Sequence, residues 1–118
     1  MFINHSNHSS SSWDPLQYEE ASQYGIVIDR PFPHISPTLS HEEVRLLVEE
    51  EGAWIRQQHP KMVMCQGEFT YTYLMVNYLK SHHIPVVAAC SDRNVEEYLE
   101  GHLSKKLVTF KFIRFREY

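Results

Sequence analysis

"MVMCQGEFTYTY", residues 62–73, decides how the rest of the chain is read. Four apolar residues, Met62 to Cys65, suit a buried strand. The polar corner Gln66-Gly67-Glu68 follows, and then the aromatic-rich "EFTYTYLMVNYLKSHH" (68–83), long enough for a helix. A strand, a glycine-containing turn and a helix form half of a βαβ unit. In parallel sheets the corners at the carboxyl ends of the strands are where ligands collect.

Working outward, the same alternation recurs. "MFIN" (1–4), "IVIDRPF" (26–32), "KMVMC" (61–65) and "IPVVAAC" (84–90) read as strands. Between the first two, Asp14 is the expected N-cap of a helix, with Pro15 in its first turn, Gln17 completing a capping box and Gly25 ending it. Ser40 and Glu43 form a second box that opens a helix over 41–58. After "SDRNV" the pattern changes: "VEEYLEG" and "LVTFKFIRF" read as a strand pair turning at Gly101. Val108, Phe110 and Phe112 fall on one side of it, with Thr109, Lys111 and Ile113 on the other. The expected fold is α/β: a mostly parallel sheet of four βα-linked strands with a C-terminal β-hairpin, in a single domain over residues 1–118. The helix after Gly67 is apolar nearly all round. Either its neighbours in the chain cover it, or its outer face packs on a second copy in a twofold homodimer.

Composition narrows the function classes. Of the 118 residues 42% are hydrophobic, which fits a folded domain rather than a disordered one. The net charge of -4 argues against a surface that coats duplex DNA or RNA, since that needs excess cations. A small anion held in a local pocket is compatible with it. Cys65 and Cys90 end apolar runs, and their spacing fits neither a zinc ribbon nor a redox pair. The start "MFINHSNHSSSSW" has no signal-peptide pattern, and no apolar run reaches membrane-span length. A cytoplasmic protein that does not enter membranes is expected. There is no GxGxxG, Walker loop, HExxH or GxSxG, and neither a metal nor a cofactor is expected.

Three corners should meet on one rim of the sheet. The first offers Asn4, His5, Ser6, Asn7, His8 and Ser9, donors suited to phosphate oxygens, with a histidine able to move a proton near neutrality. The alternative for each is a polar turn with capping serines. The second offers Gln66, Gly67, Glu68 and Thr70. There Gly67 permits close backbone approach, and Glu68 either caps the helix or accepts a ribose hydroxyl. The third offers Ser91, Asp92 and Arg93, whose guanidinium can fork onto a phosphate or pair with Asp92.

Taken together, "INHSNHSSSSW", "CQGEFTYTY", "AACSDR" and "FKFIRFREY" resemble small CRISPR-associated proteins of the CARF type and the stand-alone ring nucleases, over nearly the whole chain by order of elements. The resemblance implies a Rossmann-like fold and a homodimer that binds cyclic oligoadenylates and cleaves them without metal, as part of type III CRISPR antiviral defence. A second nuclease domain is absent from the sequence, which shifts the expectation from an activated effector to a stand-alone degrader or sensor. His5, His8 and Arg93 are then the candidate catalytic groups. Asn4, Ser6, Asn7, Ser9, Gln66, Gly67, Glu68, Thr70 and Ser91, again with Arg93, are the candidate ligand contacts. The competing reading is a non-catalytic, nucleotide-sensing dimer of the same fold.

Overall fold

Met62–Cys65 is buried at every position, which a strand allows only where both faces of its sheet are covered. The computed structural model describes residues 1–118. Its elements are β1 (Phe2–His5), a 3-10 turn (Ser10–Ser12), α1 (Pro15–Ser22), β2 (Val27–Asp29), α2 (His41–Gln57), β3 (Met62–Cys65), α3 (Phe69–Ser81), β4 (Val86–Glu100) and β5 (Leu103–Glu117). The strand order is β2-β1-β3-β4-β5, the first four parallel and β5 antiparallel to β4. The fold is α/β, with a five-stranded mixed sheet and three α-helices. No helix is long and apolar enough to cross a membrane.

Successive strand residues face opposite sides, and the two cores follow that rule. Ile3, Val63 and Val86 pack beneath α2 and α3 with Val48, Ile55, Met75 and Leu79. Phe2, Met62, Met64 and Val87 pack on the other face with Ala21 of α1, bordered by Trp13 and Phe115. Each large apolar side chain enclosed in this way contributes about 1.5–3 kcal/mol. Gly52 of α2 is where the Tyr78 ring of α3 lies; a Cβ there would overlap it, so the glycine sets how closely the two helices approach.

Helix starts follow the sequence signals with one exception. Asp14 accepts from the Leu16 N–H at 3.0 Å, and Ser40 and Glu43 exchange both capping hydrogen bonds. Gln17 does not complete a box. Its side chain is buried and donates to the Met64 sulfur at 3.6 Å, because α1 lies against the sheet on that side.

The four strands plus separate hairpin need correcting. β4 does not end at Cys90; it runs on to Glu100 and pairs with β5 over its whole length, around a turn where Gly101 has φ +65°. The expected fourth strand and the first hairpin strand are thus one strand. Ser91-Asp92-Arg93 reads as a loop because it is polar, but in a ribbon open to water polar residues can sit within a strand. Only a register shift between Cys90 and Ser91 marks the boundary. The apolar circumference of α3 is shared out: Tyr71, Met75 and Leu79 are enclosed, while Phe69 and Tyr73 stand in water.

Candidate ligand pocket at the carboxyl ends of the strands

The chain leaves β1 through α1 towards β2, then returns past β1 through α2 to β3. The connections after β1 and β3 therefore depart to opposite sides of the sheet, and a crevice opens between their carboxyl ends. A cavity of about 610 Å³ lies there on the α1 side. Ser6 and His8 line it from the loop after β1, Gln66 from the corner after β3 and Ser91 from β4. Trp13, Asp14 and Gln17 enter from the start of α1, and Phe110 and Phe112 from β5. Three expected corners thus contribute to one cavity, whose size falls in the usual range for small-molecule sites, about 300–1,000 Å³. Another cavity of about 660 Å³, beside Arg56, His59 and His82 at the other end of the sheet, includes none of the expected site residues.

Several polar groups in the crevice are fixed by their neighbours. The Ser6 hydroxyl donates to Asn4 Oδ1 at 2.7 Å and accepts from the His8 N–H at 3.2 Å. Gln66 Oε1 accepts from the Ala89 N–H, which leaves the amide nitrogen as the end available to the cavity. Asp14 uses one carboxylate oxygen as the α1 cap and accepts the Phe112 N–H at 3.4 Å on the other, tying helix to ribbon. Trp13 stands edge-on to Phe2 and Phe115, with ring centroids 6.1 and 6.4 Å away.

The serine turn already holds an anion of the chain's own. Asp29, at the end of β2, accepts from Asn4 Nδ2 at 2.8 Å, from the Ser9 hydroxyl at 3.2 Å, and from the Ser10 N–H and hydroxyl at 3.2 and 3.1 Å. Burial pushes the Asp29 carboxyl up, but these donors outweigh it and hold it below the usual carboxylate range. Asn4 spends its second N–H on the His8 carbonyl at 2.8 Å. The donors of Asn4 and Ser9 are therefore committed to Asp29 and the turn, away from a ligand.

His5 and His8 part company. His8 is exposed and lines the cavity. His5 is fully buried on the opposite face, with its ring against Phe32 and Tyr71 at centroid distances of 4.7 and 5.6 Å. Its Nδ1 lies 2.6 Å from the Arg30 carbonyl and its Nε2 2.7 Å from the Tyr71 hydroxyl. A carbonyl can only accept, so Nδ1 carries a proton; in the neutral ring Tyr71 then donates to Nε2. Burial pushes the His5 pKa below the ordinary histidine value, against upward pulls from the Arg30 carbonyl and Glu51. Arg30 in turn forks onto Glu51 at 2.9 and 3.1 Å and lies 4.2 Å from the Trp54 ring.

The other expected contacts are dispersed. Glu68 caps α3, accepting from the Thr70 and Tyr71 N–H groups at 2.9 Å each. The Tyr71 N–H leads the causes that hold its carboxyl low. Thr70 and Asn7 border smaller recesses of about 380 and 410 Å³ that each include Glu68. Gly67 is required by Phe32, whose ring occupies the space a Cβ would take. Arg93 is exposed on the ribbon, paired with Phe110. Cross-strand partners share a face, so it lies on the cavity side, one pair beyond Ser91 and Phe112. Cys65 is buried, and burial pushes its thiol up to about 12, leaving it inert at neutral pH.

Trp13, Asp14, Phe110 and Phe112 belong to the cavity although the sequence reading passed over them as site residues. The alternation of the last strand put Phe110 and Phe112 on one side, and that signal pointed to them. Nothing in the sequence linked Asp29 to the serine turn.

No curated protein and no solved structure matches the chain. A family model described as "Uncharacterized protein MJ1673 family" matches residues 1–116. That span is nearly the full length, and it includes every residue of the cavity; the chain belongs to the MJ1673 family.

Proposed function

We propose that this chain is a Rossmann-like domain of the CARF type, which as a cytoplasmic homodimer binds cyclic oligoadenylates and cleaves them without metal. The observation that carries the reading is the single cavity between the carboxyl ends of β1 and β3, shared by the loops after β1 and β3 and by the base of the ribbon. Its walls pair hydroxyl, amide and imidazole groups with the aromatic rings of Trp13, Phe110 and Phe112. Aromatic faces stack nucleobases at about 1–3 kcal/mol each, and Arg93 stands on the same face of the ribbon to meet a phosphate.

In this proposal a ribose 2′-hydroxyl gives its proton to the His8 imidazole and its oxygen attacks the adjacent phosphorus. The bond to the 5′-oxygen breaks, that oxygen takes a proton from water, and His8 returns its proton to solvent. The products carry a 2′,3′-cyclic phosphate and a 5′-hydroxyl. Ser6, Gln66 and Ser91 position the sugar and phosphate, while Arg93 stabilises the developing charge. His5 has no part in proton transfer here; it supports the base of the loop from the other face.

The non-catalytic sensor is the second reading, favoured by the enclosure of His5, which leaves His8 as the one histidine in the cavity. Incubation with labelled cyclic tetra-adenylate in EDTA separates the two. Linear products ending in cyclic phosphate support cleavage, a stable complex without products supports sensing, and no binding at any ring size overturns both.

A further inference from the structure

The sense of each hydrogen bond in the crevice limits what a ligand can offer in return. Asn4 Nδ2 donates to the Asp29 carboxylate and to the His8 carbonyl, at 2.8 Å each. Neither partner can donate, so the Asn4 amide has one possible orientation, with Oδ1 turned to the Ser6 hydroxyl at 2.7 Å. Oδ1 only accepts, so Ser6 supplies the proton. The His8 carbonyl, 3.3 Å from Ser6 Oγ, would take that same proton. Either way the proton is spent inside the loop.

One lone pair of Ser6 Oγ receives the His8 N–H at 3.2 Å. What remains for the cavity is a single lone pair, on a residue only 3% exposed. A phosphate oxygen, which also only accepts, would meet it lone pair to lone pair. A hydroxyl would donate to it. The corner after β3 has the opposite sense. Gln66 Oε1 is taken by the Ala89 N–H, and its amide nitrogen only donates. Arg93, on the cavity side of the ribbon, is likewise a donor alone. Asp14, the only carboxylate lining the cavity, already receives an N–H on each oxygen.

We propose that Ser6 is a specificity residue that accepts a hydrogen bond from a ribose 2′-hydroxyl, while a phosphate of the same ligand lies against Gln66 and Arg93. This deepens the proposed function and rests on its ligand, a ring of riboses and phosphates. The attacking 2′-hydroxyl spends its proton on His8, so the one at Ser6 belongs to another ribose of the ring. Asn4, held by Asp29 and the His8 carbonyl, fixes the sense of the contact.

The test compares cyclic tetra-adenylate with its all-2′-deoxy analogue by calorimetry. The host is full-length His8→Ala, which prevents turnover and keeps the backbone contacts of residue 8. It should bind the ribose ring more tightly. Adding Ser6→Ala should shrink that preference by about three- to tenfold, the worth of one hydrogen bond. A loop merely loosened by the substitution weakens both rings by one factor and keeps their ratio, which overturns the proposal. Adding Gln66→Glu instead retains an oxygen for the Ala89 N–H and removes the donor. It should weaken both rings by about tenfold or more with their ratio preserved. Equal affinity of the host for the two rings overturns the inference, as does a preference that vanishes with Gln66→Glu; both leave the ligand assignment intact. Binding of neither ring removes the proposed function as well.

Discussion

Tyr71→Phe removes a single oxygen from the molecule and tests whether His5 is a neutral, fully hydrogen-bonded support. The Tyr71 hydroxyl lies 2.7 Å from His5 Nε2 in a site closed to water. An intramolecular hydrogen bond nets about 0.5–1.5 kcal/mol, and a buried acceptor left without a donor costs about 1–3 kcal/mol. The variant should therefore lose about 1–3 kcal/mol in urea unfolding at pH 7.5, with the slope on denaturant unchanged. A pH series adds an independent reading. The folded-state pKa of His5 is depressed, so below the unfolded value near 6.5 the unfolded chain binds a proton that the native state refuses. Stability from this group is full above pH 6.5 and falls as the pH drops towards the folded pKa, by up to about 1.4 kcal/mol per pH unit. His5→Gln should remove that share of the acid slope. A Tyr71→Phe protein within 0.5 kcal/mol of wild type would refute the reasoning. Equal acid slopes for His5→Gln and wild type would do the same.

Four further variants have expected outcomes. Gly67→Ala must displace the Phe32 ring, which is packed 4.6 Å from Tyr71 between centroids, and should cost about 1–3 kcal/mol in thermal or urea unfolding; unchanged stability would show that the ring has room to move. Asp29→Asn removes the anion that orders the serine turn, so amide exchange at Ser10 should accelerate. The native Asp29 carboxyl is held low, so its stabilisation is present above pH 3.8 and is lost as the pH falls through its folded value; the variant should lack that part of the acid transition. Arg93→Ala should weaken cyclic tetra-adenylate binding by tenfold or more with no change in melting temperature, while His8→Ala should abolish product formation and keep binding. Wild-type turnover in His8→Ala would take the proton transfer away from that residue.

How much of this was legible in the sequence depended on whether the deciding contact was local. Caps are local, and Asp14 and the Ser40–Glu43 pair signalled their helices correctly. The apolar runs Met62–Cys65 and Val86–Val87 carried enough burial to place strands and, through the helices between them, parallel pairing. The end of β4 was illegible, because polar residues in an uncovered ribbon look the same as a loop. The two histidines, His5 and His8, one and four residues past Asn4, could not be told apart either. Position parity in a strand separates His5 from Ser6, but the partner that closes His5, Tyr71, is 66 residues away. Asp29 filled the serine turn from 20 residues on, again without a sequence signal. The corners themselves followed from topology, whereas which donors in them were free depended on long-range neighbours.

The two tryptophans offer the most direct measurement of the central claim, that the crevice beside β1 and β3 is the ligand site. Trp13 lines the cavity and Trp54 lies against Arg30 on the far face, so Trp54→Phe leaves one reporter in place. Titrating cyclic tetra-adenylate into that variant, made with His8→Ala to prevent turnover, should change Trp13 emission along a saturable curve. Binding seen by calorimetry with Trp13 emission unaltered would put the ligand elsewhere and contradict the account.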